Sequence, residues 1–140
     1  MKLLAFDPGV TTGFAVLEIS DSFNFVTFGS FAGWKGMEPL IVSQSPDVLV
    51  CEDFIVTMGA THFHRDSLYA IGVCQYLSDK YRLPLIMQGP SLRKATMDHQ
   101  YKEVFRNAKD PYHKWDALGH ALTYASKKYG RLPFVGEIEW

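Results

Sequence analysis

Cysteine is scarce in this chain, and the two that occur exclude two chemistries. Cys51 and Cys74 sit inside apolar segments, VLVCEDF and AIGVCQYL, with no CxxC spacing. They read as small buried side chains, not as a disulfide framework or a thiolate zinc site. Long hydrophobic runs are missing too: no apolar stretch of about 18 residues is present to span a membrane. The first residues lack the charged, apolar and small-residue regions of a secretory signal. No membrane association is expected, and the expected location is the cytoplasm of a bacterium or of a phage-infected host cell. Excess charge of either sign is also absent, since the formal net charge is -1. That balance excludes a uniformly basic nucleic-acid binder.

The charge that is present is unevenly placed. Residues 1–79 hold 3 Lys/Arg and 9 Asp/Glu, whereas residues 80–131 hold 11 and 4. Carboxylates that bind a cation stop repelling a polyanion, so an acidic site ringed by basic groups would be laid out this way. With 140 residues, 47% of them apolar, the chain has enough for one well-buried core and too little for two, so residues 1–140 are expected to form a single domain.

KLLAF is a short apolar run without polar alternation, which suits a central strand covered on both faces. The turn DPGVTTG follows, then strands in GFAVLEI and FNFVTFGSF, giving a three-strand antiparallel meander. A short helix around MEPLIVSQ leads to a fourth strand, VLVC, that ends on Glu52. RDSLYAIGVCQYLSDKY reads as a helix apolar nearly all round, which needs two packing partners, the sheet and a second subunit. LPLIM is a fifth strand, SLRKATMDHQYKEVFRNAKD a basic helical or helix-loop stretch, and HKWDALGHALTYASKKYG a last helix with Lys127 and Lys128 before Gly130. The expected fold class is α/β: a five-stranded mixed sheet, the meander plus parallel strands, flanked by helices.

In such sheets the carboxyl ends of strands line the ligand crevice. Asp7 ends the first strand and Glu52 the fourth, and a carboxylate directly after a buried strand is costly unless paired. His113, Asp116 and His120 fall at i, i+3 and i+7 of the last helix, on one face. His120 is a candidate for orienting Asp116. Asp53, beside Glu52, is expected to face solvent. Oxygen-rich ligands with some nitrogen suit Mg²⁺ or Mn²⁺ better than zinc. Asp7 also has a simpler reading, in which it braces its own Pro-Gly turn.

FDPGVTTGFAVLE, SPDVLVCEDF and HKWDALGHALTYA, in that order, resemble the RuvC family of Holliday junction resolvases, in particular the short forms carried by bacteriophages. The resemblance runs from about residue 2 to residue 128 and implies a ribonuclease H-like fold. It implies that Asp7, Glu52, His113 and Asp116 bind two catalytic Mg²⁺ ions, with Mn²⁺ as a substitute. It further implies that Lys94 meets the phosphate near the scissile bond with Arg93 as helper, and that Phe54 or Phe63 wedges against bases. The Arg65–Lys80 helix matches the family's dimer-interface helix. Arg65, Lys102, Arg106, Lys109 and Lys114 complete the basic groups expected to meet branched DNA. The activity implied is paired hydrolysis at a four-way junction by a homodimer, leaving 5′-phosphate and 3′-hydroxyl ends. A broader flap or fork endonuclease and a catalytically silent DNA-binding scaffold are the alternatives. The connector before the fourth strand is shorter than the family's helix and the charge is less basic, so substrate preference is left open. The DPGVTT turn also resembles a phosphate loop of actin-like ATPases, but those need a second subdomain that 140 residues do not accommodate.

Overall fold

Side-chain alternation along the central strand divides this protein into two cores. The computed structural model describes residues 1–53, 65–106, 108 and 113–136. Strands β1 (Lys2–Asp7), β2 (Thr11–Ile19) and β3 (Phe23–Ala32) form the expected antiparallel meander. Strand β4 (Val48–Glu52) runs parallel to β1, and β5 (Leu85–Gln88) parallel to β4, giving the sheet order β3-β2-β1-β4-β5. The helices are α1 (Met37–Gln44), α2 (Arg65–Tyr81), α3 (Pro90–Ala95), α4 (Lys102–Phe105) and α5 (His113–Tyr129).

Leu3 and Ala5 point to one face with Ala15, Leu17, Val48 and Val50, and pack against Trp115, Leu118, Ala121, Leu122 and Ala125 of α5. Leu4 and Phe6 point to the other face with Val16, Leu49 and Cys51, and pack against Met37 and Ile41 of α1 and Ala70, Cys74 and Leu77 of α2. Asp7 follows Leu3 and Ala5 on the α5 side, and Glu52 follows Val48 and Val50, because side chains alternate with period two. Both free cysteines are buried, as expected.

The basic stretch after β5 is broken, not continuous. A π-helical turn at Thr96–Gln100 separates α3 from α4. Tyr101, which ends that turn, is buried, and its hydroxyl accepts from the Leu132 amide at 2.9 Å and donates to the Leu132 carbonyl at 3.1 Å. The fifth strand starts two residues later than the sequence suggests. Arg82 adopts a left-handed conformation after α2, and the Leu83 amide folds back onto the Ser78 carbonyl at 2.9 Å, so strand pairing begins beyond Pro84.

Candidate metal centre

Three strands of the sheet end on polar residues in one row. Phe6 of β1 lies beside Cys51 of β4, so Asp7 and Glu52 come next on neighbouring parallel strands, and Glu52 in turn pairs with Gln88 of β5. On the other side Asp7 pairs with Gly13 of β2. A Cβ at Gly13 would collide with the backbone of His113 and Lys114. The missing side chain is what lets the first turn of α5 lie on β2 and bring His113 over Asp7.

His113 Nδ1 lies 2.5 Å from Asp7 Oδ2. Ligand atoms of Asp7, His113 and Asp116 all fall within 4.8 Å of one another. Only 4% of Asp7 is exposed. Burial first, and then the neighbouring Glu52 charge, push its carboxyl up to about 7 from 3.8, with the His113 hydrogen bond acting the other way. A carboxylate this unwilling to ionise beside two other acids is in want of a cation.

The DPGVTTG turn is braced by other residues. Thr12, fully buried, donates from Oγ1 to the Gly33 carbonyl at 2.6 Å and accepts from the Gly9 amide at 3.3 Å. Ser67 of α2 donates to the Pro8 carbonyl at 3.1 Å. Asp7 Oδ2 is directed at His113, so bracing the turn is not the work of that oxygen.

Glu52 has different neighbours. Its Oε2 accepts from Arg93 Nη1 at 2.5 Å and from His120 Nε2 at 2.6 Å. A carboxylate oxygen only accepts, so Nε2 of His120 carries the proton. His120 is fully buried, and its Nδ1 lies 2.9 Å from Gln88 Oε1; with Nε2 protonated, this contact is a hydrogen bond when the ring carries a second proton or when the Gln88 amide is turned to present its nitrogen. This corrects the expectation that His120 orients Asp116: it holds Glu52. Asp116 instead accepts from Arg93 Nε at 2.9 Å. Arg93 thus joins Glu52 to Asp116. Burial works against its charge, and the two acids more than offset that, so its guanidinium is held above the ordinary value.

These groups line a cleft of about 550 Å³, with Asp7, Glu52, Arg93, His113 and Asp116 together with Pro8, Gly9, Val10 and Arg65 to Ser67 at the α2 end. Arg93, and not Lys94, is the basic side chain of α3 in that lining. Lys94 is exposed one position further along, as are Arg65, Lys102 and Arg106 on their own elements, and Asp53 is exposed as expected. Lys102 and Arg106 border a separate groove with Met97, Asp98 and Phe105. Lys114 Nζ sits 4.9 Å from the Phe28 ring centroid. Phe54, Phe63 and Lys109 lie outside the described residues.

The donor set fits a hard divalent cation. Asp7, His113 and Asp116 offer oxygen and imidazole ligands on one rigid strand end and one helix turn. The Cys51 thiol, pushed well up by its contact with Cys74 and by burial, is no thiolate ligand. Gln88 is the site residue that sequence reasoning missed. Its signal was available: Gln88 ends an apolar strand in LIMQGP as Asp7 and Glu52 end theirs.

No protein-family model matches this sequence, and no curated protein matches it. Solved structures do. RuvC from Thermus thermophilus superposes with a TM-score of 0.71 at 18% identity, over 94% of this chain and 98% of that one. T. thermophilus RuvC in complex with a Holliday junction substrate gives 0.68 at 15%, over 95% and 99%. The yeast mitochondrial Holliday junction resolvase Ydc2 gives 0.52 at 11%, over 91% and 81%. The chain therefore has the ribonuclease H-like fold. Within it, the arrangement of strands and helices is that of RuvC.

Proposed function

We propose that this chain is a divalent-metal-dependent endonuclease that resolves four-way DNA junctions. The observation that carries the reading is the convergence of Asp7, His113 and Asp116 to within 4.8 Å, one strand away from Glu52, in a fold shared with RuvC. Asp7, His113 and Asp116 would hold one Mg²⁺ ion, and Asp7 with Glu52 a second. Bound there, such ions lower the pKa of an attacking water and neutralise charge on the phosphate.

The chain's own groups supply the remainder. Burial of Asp7 at the end of β1 and of His120 behind Glu52 keeps both carboxylates on fixed mounts, so little reorganisation accompanies the reaction. Arg65 and Arg93 line the cleft, a pair suited to holding a backbone phosphate in place, and the exposed Lys94 next to Arg93 in sequence would add a further phosphate contact. Lys102 and Arg106, on their separate groove, would add backbone-phosphate contacts that recognise the shape of branched DNA more than its sequence. Paired cutting needs two sites. The outward face of α2 offers Leu68, Tyr69, Val73 and Tyr76 beside Trp34, with Tyr76 62% exposed, and a second copy covering this face would form the homodimer.

A strand-labelled four-way junction incubated with Mg²⁺, Mn²⁺ or EDTA tests the reading, with a flap and a plain duplex alongside. Symmetric cuts bearing 5′-phosphates, abolished by EDTA and by Asp7→Asn, are expected. Cutting that survives either treatment overturns the reading, and stronger cutting of the flap replaces it with a broader branched-DNA nuclease.

A further inference from the structure

The two halves of the centre differ in what occupies them. The half formed by Asp7, His113 and Asp116 has its ligand atoms gathered. The Glu52 half is filled by a side chain: Arg93 Nη1 bonds Glu52 at 2.5 Å, and its Nε reaches across to Asp116 of the other half at 2.9 Å, so the guanidinium does for two carboxylates what a cation would. We infer that Arg93 is a resident counter-ion that a second metal ion must displace, and that the DNA phosphate is the partner that draws it away. This rests on the metal-dependent nuclease reading above.

Three features support displacement over a permanent brace. Glu52 Oε2 already accepts from both Arg93 and His120, so a cation reaching that oxygen has to remove one donor. His120 is fully buried and held by Gln88, whereas the Arg93 side chain is 22% exposed and borders the open cleft. Arg93 is therefore the donor that can leave. Its approach is also a built feature. A Cβ at Gly119 of α5 would lie 2.7 Å from Met97 Sδ and 3.2 Å from Arg93 Cβ, so glycine there lets α3 come close enough for Arg93 to reach both acids.

The alternative partner follows from guanidinium chemistry. A phosphate accepts two parallel hydrogen bonds from arginine as a carboxylate does. A phosphate entering the cleft competes for Arg93 and frees Glu52 and Asp116. Binding of DNA and of the second ion is then cooperative, and the coupling is reciprocal.

A brace and a displaceable counter-ion give opposite signs when Arg93 is removed. Mn²⁺ titration followed by electron paramagnetic resonance of the free ion, without DNA, reads both stoichiometry and affinity. Wild type should bind one ion well and a second weakly. Arg93→Ala should bind the second about tenfold more tightly or better, because the charge-assisted hydrogen bond to Glu52 no longer competes. Arg93→Lys, which keeps the charge but cannot span both acids, should fall between. In junction cleavage, Arg93→Ala should lower the maximal rate while also lowering the Mn²⁺ concentration needed for half-maximal rate. An unchanged or weaker second site in Arg93→Ala overturns the inference and leaves the nuclease reading standing. Absence of any Mn²⁺ binding that Asp7→Asn removes overturns both.

Discussion

Replacing Asp7 by Asn in the metal-free protein is expected to raise its melting temperature above neutral pH. The folded-state carboxyl titrates at about 7, against an ordinary value of 3.8. That separation of about 3 pH units, at about 1.4 kcal/mol each, bounds the cost of the ionised form at about 4 kcal/mol. Asn loses the charge-assisted part of the His113 contact, about 1 kcal/mol or more. A net gain of about 2–3 kcal/mol remains, or about 5–10 °C for a domain of this size. The sign with pH follows from the raised value. Asp7's contribution is fully present below the unfolded value near 4 and is lost as pH rises through about 7. The gap between variant and wild type should therefore open across that window and stay open above it. Thermal melts in EDTA between pH 4.5 and 8.5 measure it. Adding Mg²⁺ at pH 8 should narrow the gap, since the ion stabilises only the protein that binds it. A gap independent of pH, or a variant less stable than wild type at pH 8, would refute the reasoning.

Other substitutions probe how the site is mounted. Gly13→Ala drives a methyl group into the His113 and Lys114 backbone, and is expected to cost about 3 kcal/mol or more in denaturant unfolding, with Mn²⁺ affinity lost alongside. His120→Ala removes a buried hydrogen bond to Glu52 and leaves a cavity. It should cost about 2–4 kcal/mol of stability and lower the single-turnover cleavage rate about 10- to 100-fold. Lys94→Ala should leave folding unchanged, weaken junction binding and reduce the slope of log affinity against log salt by about 1; an unchanged slope would remove Lys94 from the phosphate contacts.

The elements were legible because their signals are local. Alternation in FNFVTFGSF, the apolar runs KLLAF and VLVC, and the helix ending at Gly130 depend on neighbours in sequence. The polar strand ends were legible for the same reason, since an acid after a buried run is costly without a partner. Which partner each side chain takes was not legible. His120 is one turn beyond Asp116, and helical spacing alone suggests that the two cooperate. The position of α5 over the sheet decides otherwise, and that position depends on the absent side chain of Gly13, whose collision with the His113 and Lys114 backbone exists only in three dimensions. Where the basic stretch breaks was not legible because a π-helical turn leaves no propensity signature; the break falls just before the buried Tyr101.

The row Asp7, Glu52, Gln88 shows why the centre is built across a mixed sheet. On the parallel side, Gln88 is turned to His120 and His120 to Glu52, so a chain of buried hydrogen bonds fixes Glu52 from behind. On the antiparallel side, Gly13 admits the start of α5 and so fixes His113 against Asp7. Both supports run through the same helix, at positions seven residues apart. A shift of α5 along the sheet by the 1.5 Å rise of one residue would therefore disturb both halves of the centre together, because the His113 and His120 contacts are both made from this helix. The small residues Ala5, Ala15, Ala117, Ala121 and Ala125 beneath and within α5 leave it close to the strands. The packing that stabilises the sheet and α5 is thus also what sets the positions of the acids.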